Sequence, residues 1–145
     1  MLPSLEKPEV GDIVVGIDTS GSMSQRDLQE IASELQSILS TYNTKIIVVY
    51  WDTKAYPHEE FESGDDCVSL KMIGGGGTDI GSFFNYVYKH DFEPSIILCF
   101  TDGYVGNTFP KKKPDCRTLF ILNTKNESFN APFGEVITMV RDYQN

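Results

Sequence analysis

The stretch Ile13-Val14-Val15-Gly16-Ile17-Asp18-Thr19-Ser20-Gly21-Ser22 runs from β-branched apolar residues straight into an acid and three hydroxyls. A short, nearly all-apolar run of this kind reads as a strand buried on both faces, as at the centre of a parallel sheet. The polar turn that follows leads to Ser24, which fits a helix N-cap, with Asp27 three positions on. From Gln25 to about Tyr42, Leu28, Ile31, Ala32, Leu35, Ile38 and Leu39 recur at spacings of three and four. That spacing predicts an amphipathic helix with one buried stripe.

The same alternation continues downstream. Lys45–Trp51 reads as a second buried strand, and Lys54–Phe61, with Pro57 and two acids, as an edge strand. Val68–Ile73 is expected to be a short extended piece, and Gly74-Gly75-Gly76-Gly77 a loop dominated by backbone. Thr78-Asp79 opens a second helix reaching about His90, with Ile80, Phe83, Phe84, Val87 and Tyr88 on its inner face. Ser95–Phe100 is a further buried strand that ends at Thr101-Asp102-Gly103. Tyr104–Cys116 shows no helical period and reads as an irregular crossover to a strand at Thr118–Leu122; Val136–Val140 is the last strand. Strands alternating with helices predict an α/β fold: a Rossmann-like, doubly wound, mostly parallel sheet with one antiparallel edge strand and helices on both faces.

At 145 residues the chain is expected to form one domain over residues 12–145, and residues 1–11, with two prolines and no apolar period, read as a tail or linker remnant. The formal net charge of -9 argues against non-specific DNA or RNA binding, which runs on phosphate neutralisation. No apolar run approaches the ~20 residues of a membrane-spanning helix. The N-terminus lacks the basic start and apolar stretch of a signal peptide. Cys67, Cys99 and Cys116 make an odd count without C-x-x-C spacing, so neither a disulfide framework nor a zinc site is expected, and a reducing cytoplasm fits best.

Three polar segments lie at element ends: Asp18-Thr19-Ser20-Gly21-Ser22, Gly77-Thr78-Asp79 and Thr101-Asp102-Gly103. In an open α/β sheet, ligands bind beyond the carboxyl ends of strands where the winding direction reverses. If the first strand and the Ser95 strand flank that point, Asp18 and Asp102 face each other, with Ser20, Ser22 and Thr78 lining the same crevice. Two carboxylates and three hydroxyls are hard oxygen donors, a set that suits Mg²⁺ or Mn²⁺ rather than zinc or copper.

Asp18-x-Ser20-x-Ser22, Thr78 after a glycine run, and Thr101-Asp102-Gly103 together resemble the metal-ion-dependent adhesion site of von Willebrand factor A domains, in order and separation. The resemblance covers about residues 12–140. Gly-Gly-Gly-Gly-Thr78-Asp79 and the tail Pro132-Phe133-Gly134-Glu135-Val136-Ile137 are similar to the bacterial and phage branch found C-terminal to predicted metal-dependent peptidases. The resemblance implies that Ser20, Ser22 and Thr78 contact the metal directly or through water, and that Asp18 and Asp102 hold it largely through water. It also implies that a partner's Glu or Asp completes the coordination. A MoxR-type AAA+ ATPase or its client is the partner class it suggests. Two departures stand out: Asp79 adds a carboxylate beside Thr78, and Tyr104–Cys116 lacks the helix of many larger relatives.

Plainer readings compete at single positions. Asp18 alone could be a turn aspartate capping the next helix, and Asp79 suits a helix N-terminus. The glycine run meets neither the dinucleotide fingerprint nor the Lys-Ser/Thr ending of a P-loop. His58-Glu59-Glu60-Phe61-Glu62 has Glu62 where a zincin has its second histidine. Lys111-Lys112-Lys113 reads as a solvated loop, and His90 as a cation ending a helix. The combined pattern therefore predicts a non-enzymatic, Mg²⁺-dependent interaction module. The alternatives are a Mg²⁺-dependent phosphohydrolase with Asp18 as nucleophile, whose second acid would fall on Ser20, and an accessory domain of a longer predicted metallopeptidase.

Overall fold

The computed structural model describes residues 7–20, 23–64 and 68–139. Eight elements follow in order: β1 (Ile13–Asp18), α1 (Gln25–Thr41), β2 (Lys45–Trp51), β3 (Glu59–Glu62), α2 (Ile80–Lys89), β4 (Ile96–Thr101), β5 (Arg117–Leu122) and β6 (Glu135–Thr138). They build one six-stranded sheet in the order β3-β2-β1-β4-β5-β6. Only β3 runs antiparallel, pairing Lys45 with Glu62 and Val48 with Glu59; the other neighbours are parallel. This is the Rossmann-like architecture expected, with its antiparallel edge where Pro57 and the acids placed it.

Period-two alternation sorts the strand side chains between two cores. Ile13, Val15, Ile17, Ile46, Val48 and Tyr50 meet Leu28, Ile31, Leu35 and Leu39 of α1. Val14, Ile47, Val49, Trp51, Ile97, Cys99 and Phe120 meet Ile80, Phe83, Phe84 and Val87 of α2 on the opposite face. The central strands are buried on both sides and so carry no polar alternation. Helix α1 starts with a full capping box: the Ser24 side chain accepts from Asp27 N at 3.1 Å, and Asp27 Oδ2 accepts from Ser24 N at 2.9 Å. Helix α2 ends at His90, its C-cap residue.

Gly16 interrupts the β-branched run of β1 for a steric reason. A Cβ there would lie 2.6 Å from Cζ of Phe83, so the bare backbone lets α2 seat its aromatic ring on the sheet. Gly16→Ala is expected to destabilise the protein by roughly 1–3 kcal/mol, as overpacking in a filled core does. Urea unfolding measures it, and a change below ~0.5 kcal/mol would mean that the ring has room to move.

Three boundaries differ from the sequence expectation. Val68–Ile73 forms no strand. Val68 and Leu70 turn their side chains into the α1-side core, while Val68 N donates to Gln36 Oε1 at 2.7 Å and Lys71 N to the Tyr50 hydroxyl at 2.9 Å. Two of its backbone donors thus go to side chains and not to a neighbouring strand. The edge strand begins at Glu59 rather than Lys54, because the residues after Trp51 first fold back in a turn closed by a Trp51–Ala55 bridge. The last strand is Glu135–Thr138; Val140 lies outside the described residues. At the other end, Val10 N donates to Asn43 O at 3.1 Å and Asn43 N to Pro8 O at 2.8 Å, which ties residues 8–10 beside the end of α1. Tyr104–Cys116 contains neither helix nor strand, as its composition predicted.

Candidate metal centre

Strands β1 and β4 are parallel neighbours, with Ile17 beside Phe100 near their carboxyl ends. From β1 the chain winds to β2 over the α1 face, whereas β4 is reached through α2 on the other. The winding direction thus reverses between β1 and β4, and the carboxyl ends of both strands open on one crevice. Alternation along each strand turns Asp18 and Thr101 to the same side, and the Thr101 hydroxyl donates to Asp18 Oδ2 at 2.7 Å.

Asp18 is only 2% exposed. Its Oδ1 accepts the backbone N–H of Ser20 at 2.9 Å and, in a very short contact, the Ser20 hydroxyl. The Thr78 hydroxyl in turn donates to Ser20 Oγ at 2.6 Å. The structure therefore joins Asp18, Ser20 and Thr78, residues separated by up to 60 positions, in one hydrogen-bonded chain. Its protons point from Thr78 to Ser20 to Asp18, so Thr78 Oγ1 keeps two lone pairs free and Ser20 Oγ one.

Asp102 follows β4 directly and is also buried. Its Oδ1 accepts Tyr104 N at 2.9 Å, and its carbonyl accepts Asn126 Nδ2 at 3.1 Å. Gly103, at φ 84°, makes the turn; a Cβ there would sit 2.8 Å from that Asn126 nitrogen. Burial raises the pKa of Asp18; the hydrogen bonds from Ser20 and Thr101 pull it down, the Asp102 charge pushes it up, and the net shift is upward. Among the described residues no lysine, arginine or histidine forms an ion pair with either carboxylate. Two buried acids without a cationic side chain, with hydroxyl lone pairs beside Asp18, fit a hard divalent cation. No group of three His, Cys, Asp or Glu gathers among the described residues, so hydroxyls would have to supply several ligands. Ser22 lies outside the described residues.

Asp79 is the N-cap residue of α2, but its side chain makes no capping hydrogen bond; the Thr108 hydroxyl takes Ile80 N instead, at 3.0 Å. Two side chains have roles that were not assigned from the sequence. Thr101 orients Asp18, a role that period-two reasoning on β4 could have found. Asp52, just beyond β2, accepts three hydrogen bonds, from Lys54 N (3.1 Å), the Tyr56 hydroxyl (2.9 Å) and Gly76 N (3.2 Å). No local pattern announces it, because one of its partners lies 24 residues away in the glycine run.

Comparison with known proteins agrees with this architecture. The model of a family described as VWA-like domain (DUF2201) matches residues 13–140. A protein of Thermotoga maritima is 27% identical over 129 residues, which are 88% of this chain and 31% of that protein. The chain thus spans about a third of the length of that relative. Among solved structures, the ArnB paralog VWA2 from Sulfolobus acidocaldarius superposes with a TM-score of 0.62 at 17% identity, over 80% of this chain and 35% of that one. The conserved hypothetical protein BatB from Bacteroides thetaiotaomicron gives 0.57 at 14% identity, over 92% of both chains. At these identities the structural matches speak for the fold.

Proposed function

This chain belongs to the VWA-like domain family matched over residues 13–140, and from that premise we propose that it is a Mg²⁺- or Mn²⁺-dependent protein-interaction module. Asp18, Ser20, Ser22, Thr78 and Asp102 would hold the ion, and an acidic side chain of a partner would complete its shell. The carrying observation is the hydrogen-bonded chain Thr78–Ser20–Asp18–Thr101, which gathers oxygen donors around the buried Asp18 carboxylate at the switch point, within reach of the Asp102 charge. When bound, the ion supplies positive charge and an open coordination position.

The protein's own residues do the rest. Thr101 and the Ser20 N–H orient Asp18, Asn126 holds the backbone of Asp102, and the glycine loop brings Thr78 to Ser20. Neither histidine stands at the crevice: His58 and His90 pack with Tyr86 and Phe92 at the end of α2, so the site has no imidazole for proton transfer. That supports binding over catalysis. The resemblance points to a MoxR-type AAA+ ATPase or its client as the partner. No helix among the described residues is long and apolar enough to cross a membrane.

The test is thermal. A ligand that binds only the native state at ~100 times its dissociation constant stabilises by about 2.7 kcal/mol. For a domain of this size that raises the melting temperature by roughly 5–10 °C. Saturating Mg²⁺ or Mn²⁺ should give this rise and EDTA should remove it; melting that ignores both ions would end the metal reading.

A further inference from the structure

The proposed site depends on a loop, Gly74–Asp79, that has no secondary structure of its own before α2. Two of the bonds that hold it come from one residue just beyond β2. The Asp52 carboxylate accepts Gly76 N at 3.2 Å, and the Asp52 carbonyl accepts Asp79 N at 2.8 Å. These two bonds bracket Thr78, two positions before it and one after. Between them the Thr78 hydroxyl reaches Ser20 Oγ at 2.6 Å.

We propose that Asp52 is a positioning residue of the site, latching the glycine loop to β2 so that the Thr78 hydroxyl stands over Ser20. This rests on the metal reading of Asp18, Ser20, Thr78 and Asp102. The composition of the loop agrees with such a latch. Gly74 and Gly75 take φ values of 83° and 118°, open to glycine and strained for other residues. A Cβ on Gly74 would fall 2.6 Å from Asp52 Oδ2 and 3.1 Å from the Tyr56 hydroxyl. The glycine run therefore lets the backbone close on a carboxylate, which accounts for glycines that match no phosphate or dinucleotide motif.

Asp52 is itself built for this task. It is 4% exposed, and its two oxygens receive donors from Lys54, Tyr56 and Gly76. Burial pushes its pKa up, but those hydrogen bonds outweigh burial and hold it below the ordinary value, which keeps the group an ionised acceptor. Asparagine has the same shape but sets its NH₂ against either Lys54 N–H or Gly76 N–H, whichever way the amide is turned. One turn of the amide opposes Gly76 N–H directly and the other gives up the Lys54 bond that fixes the side chain. The side-chain half of the latch therefore loosens without a cavity forming, while the Asp52 carbonyl still accepts Asp79 N.

Mn²⁺ binding followed by electron paramagnetic resonance of the free ion reads the effect, with melting in EDTA as the check on folding. D52N should weaken Mn²⁺ binding about 10- to 100-fold, the usual effect of losing a partner behind a metal ligand. In a T78A background the same D52N change should cost less than about twofold, because the hydroxyl it positions is gone. Should D52N fail to fold, Y56F removes one donor from Asp52 and should weaken binding about threefold, again only when Thr78 is present. Wild-type uptake of Mn²⁺ with unchanged affinity in D52N overturns the positioning role alone. So does an equal loss with and without Thr78, which marks a general structural effect. A wild-type protein that takes up no Mn²⁺ overturns the metal reading and this role with it.

Discussion

Asp18→Ala is expected to abolish divalent-ion binding, and with it binding of an acidic partner, while the domain stays folded. Asp18 is buried at the last position of β1 but is not one of the apolar core residues, so its loss would delete a proposed ligand while leaving the packed apolar side chains in place. The stabilisation by saturating Mg²⁺, about 2.7 kcal/mol at ~100 times the dissociation constant, should vanish. In the metal-free protein two effects oppose each other. The Thr101 and Ser20 donors lose their acceptor, at about 1–3 kcal/mol for each one left unsatisfied. Against that, an uncompensated buried charge beside Asp102 is removed. Calorimetric titration with Mg²⁺ and melting in EDTA separate the two, and undiminished ion binding by Asp18→Ala would move the site elsewhere.

Asp18 also predicts a sign for the pH dependence of the metal-free protein. Burial first, then the Asp102 charge, raise its folded-state pKa above 3.8, more than the Ser20 and Thr101 hydrogen bonds lower it. The native state therefore takes up this proton at a higher pH than the unfolded chain does. Its contribution favours the native state most below the unfolded value and is lost as pH rises through the folded value. Asp18→Asn, compared with wild type in EDTA across pH 3–7, should remove that component and leave the remaining profile in place. An Asn variant with an unchanged profile would assign the dependence to other carboxylates.

Phe84→Ala is expected to destabilise the fold by about 3–5 kcal/mol, a large share of the roughly 5–15 kcal/mol that holds a domain together. Phe84 is fully buried on α2, with ring centroids 5.0 Å from Phe83, 6.1 Å from Phe120 and 5.3 Å from Phe133, the last edge-on. It thus connects helix, sheet and the segment leading into β6. Truncation leaves a void that Phe83, already pressed onto Gly16, is poorly placed to fill. Urea unfolding should show a lower midpoint with little change in slope. A loss under ~1 kcal/mol would mean that the aromatic cluster repacks freely.

The order and type of the elements were legible in the chain, because periodicity is a local property. The run Ile13–Ile17 is apolar at every non-glycine position, since both faces of β1 are covered, and Leu28, Ile31, Leu35 and Leu39 recur because one face of α1 is buried. The sequence also nominated Asp18, Ser20, Ser22, Thr78 and Asp102 as candidate ligands, of which Ser22 lies outside the described residues. Each follows or precedes an element that the periodicity had located, and the doubly wound topology sends those ends to one edge. Tertiary structure alone decided which side chains from distant segments meet there. That Thr101 orients Asp18, that Asp52 holds the glycine loop, and that Phe83 sits where Gly16 has no side chain are contacts across 83, 24 and 67 positions. Val68–Ile73 carries the same lesson in reverse: its composition suits a strand, but it pairs with none, and the N–H groups of Val68 and Lys71 go to the side chains of Gln36 and Tyr50. Such partners are fixed by chain packing in three dimensions, where a hydrogen bond depends on distances of a few tenths of an ångström that no spacing along the sequence encodes.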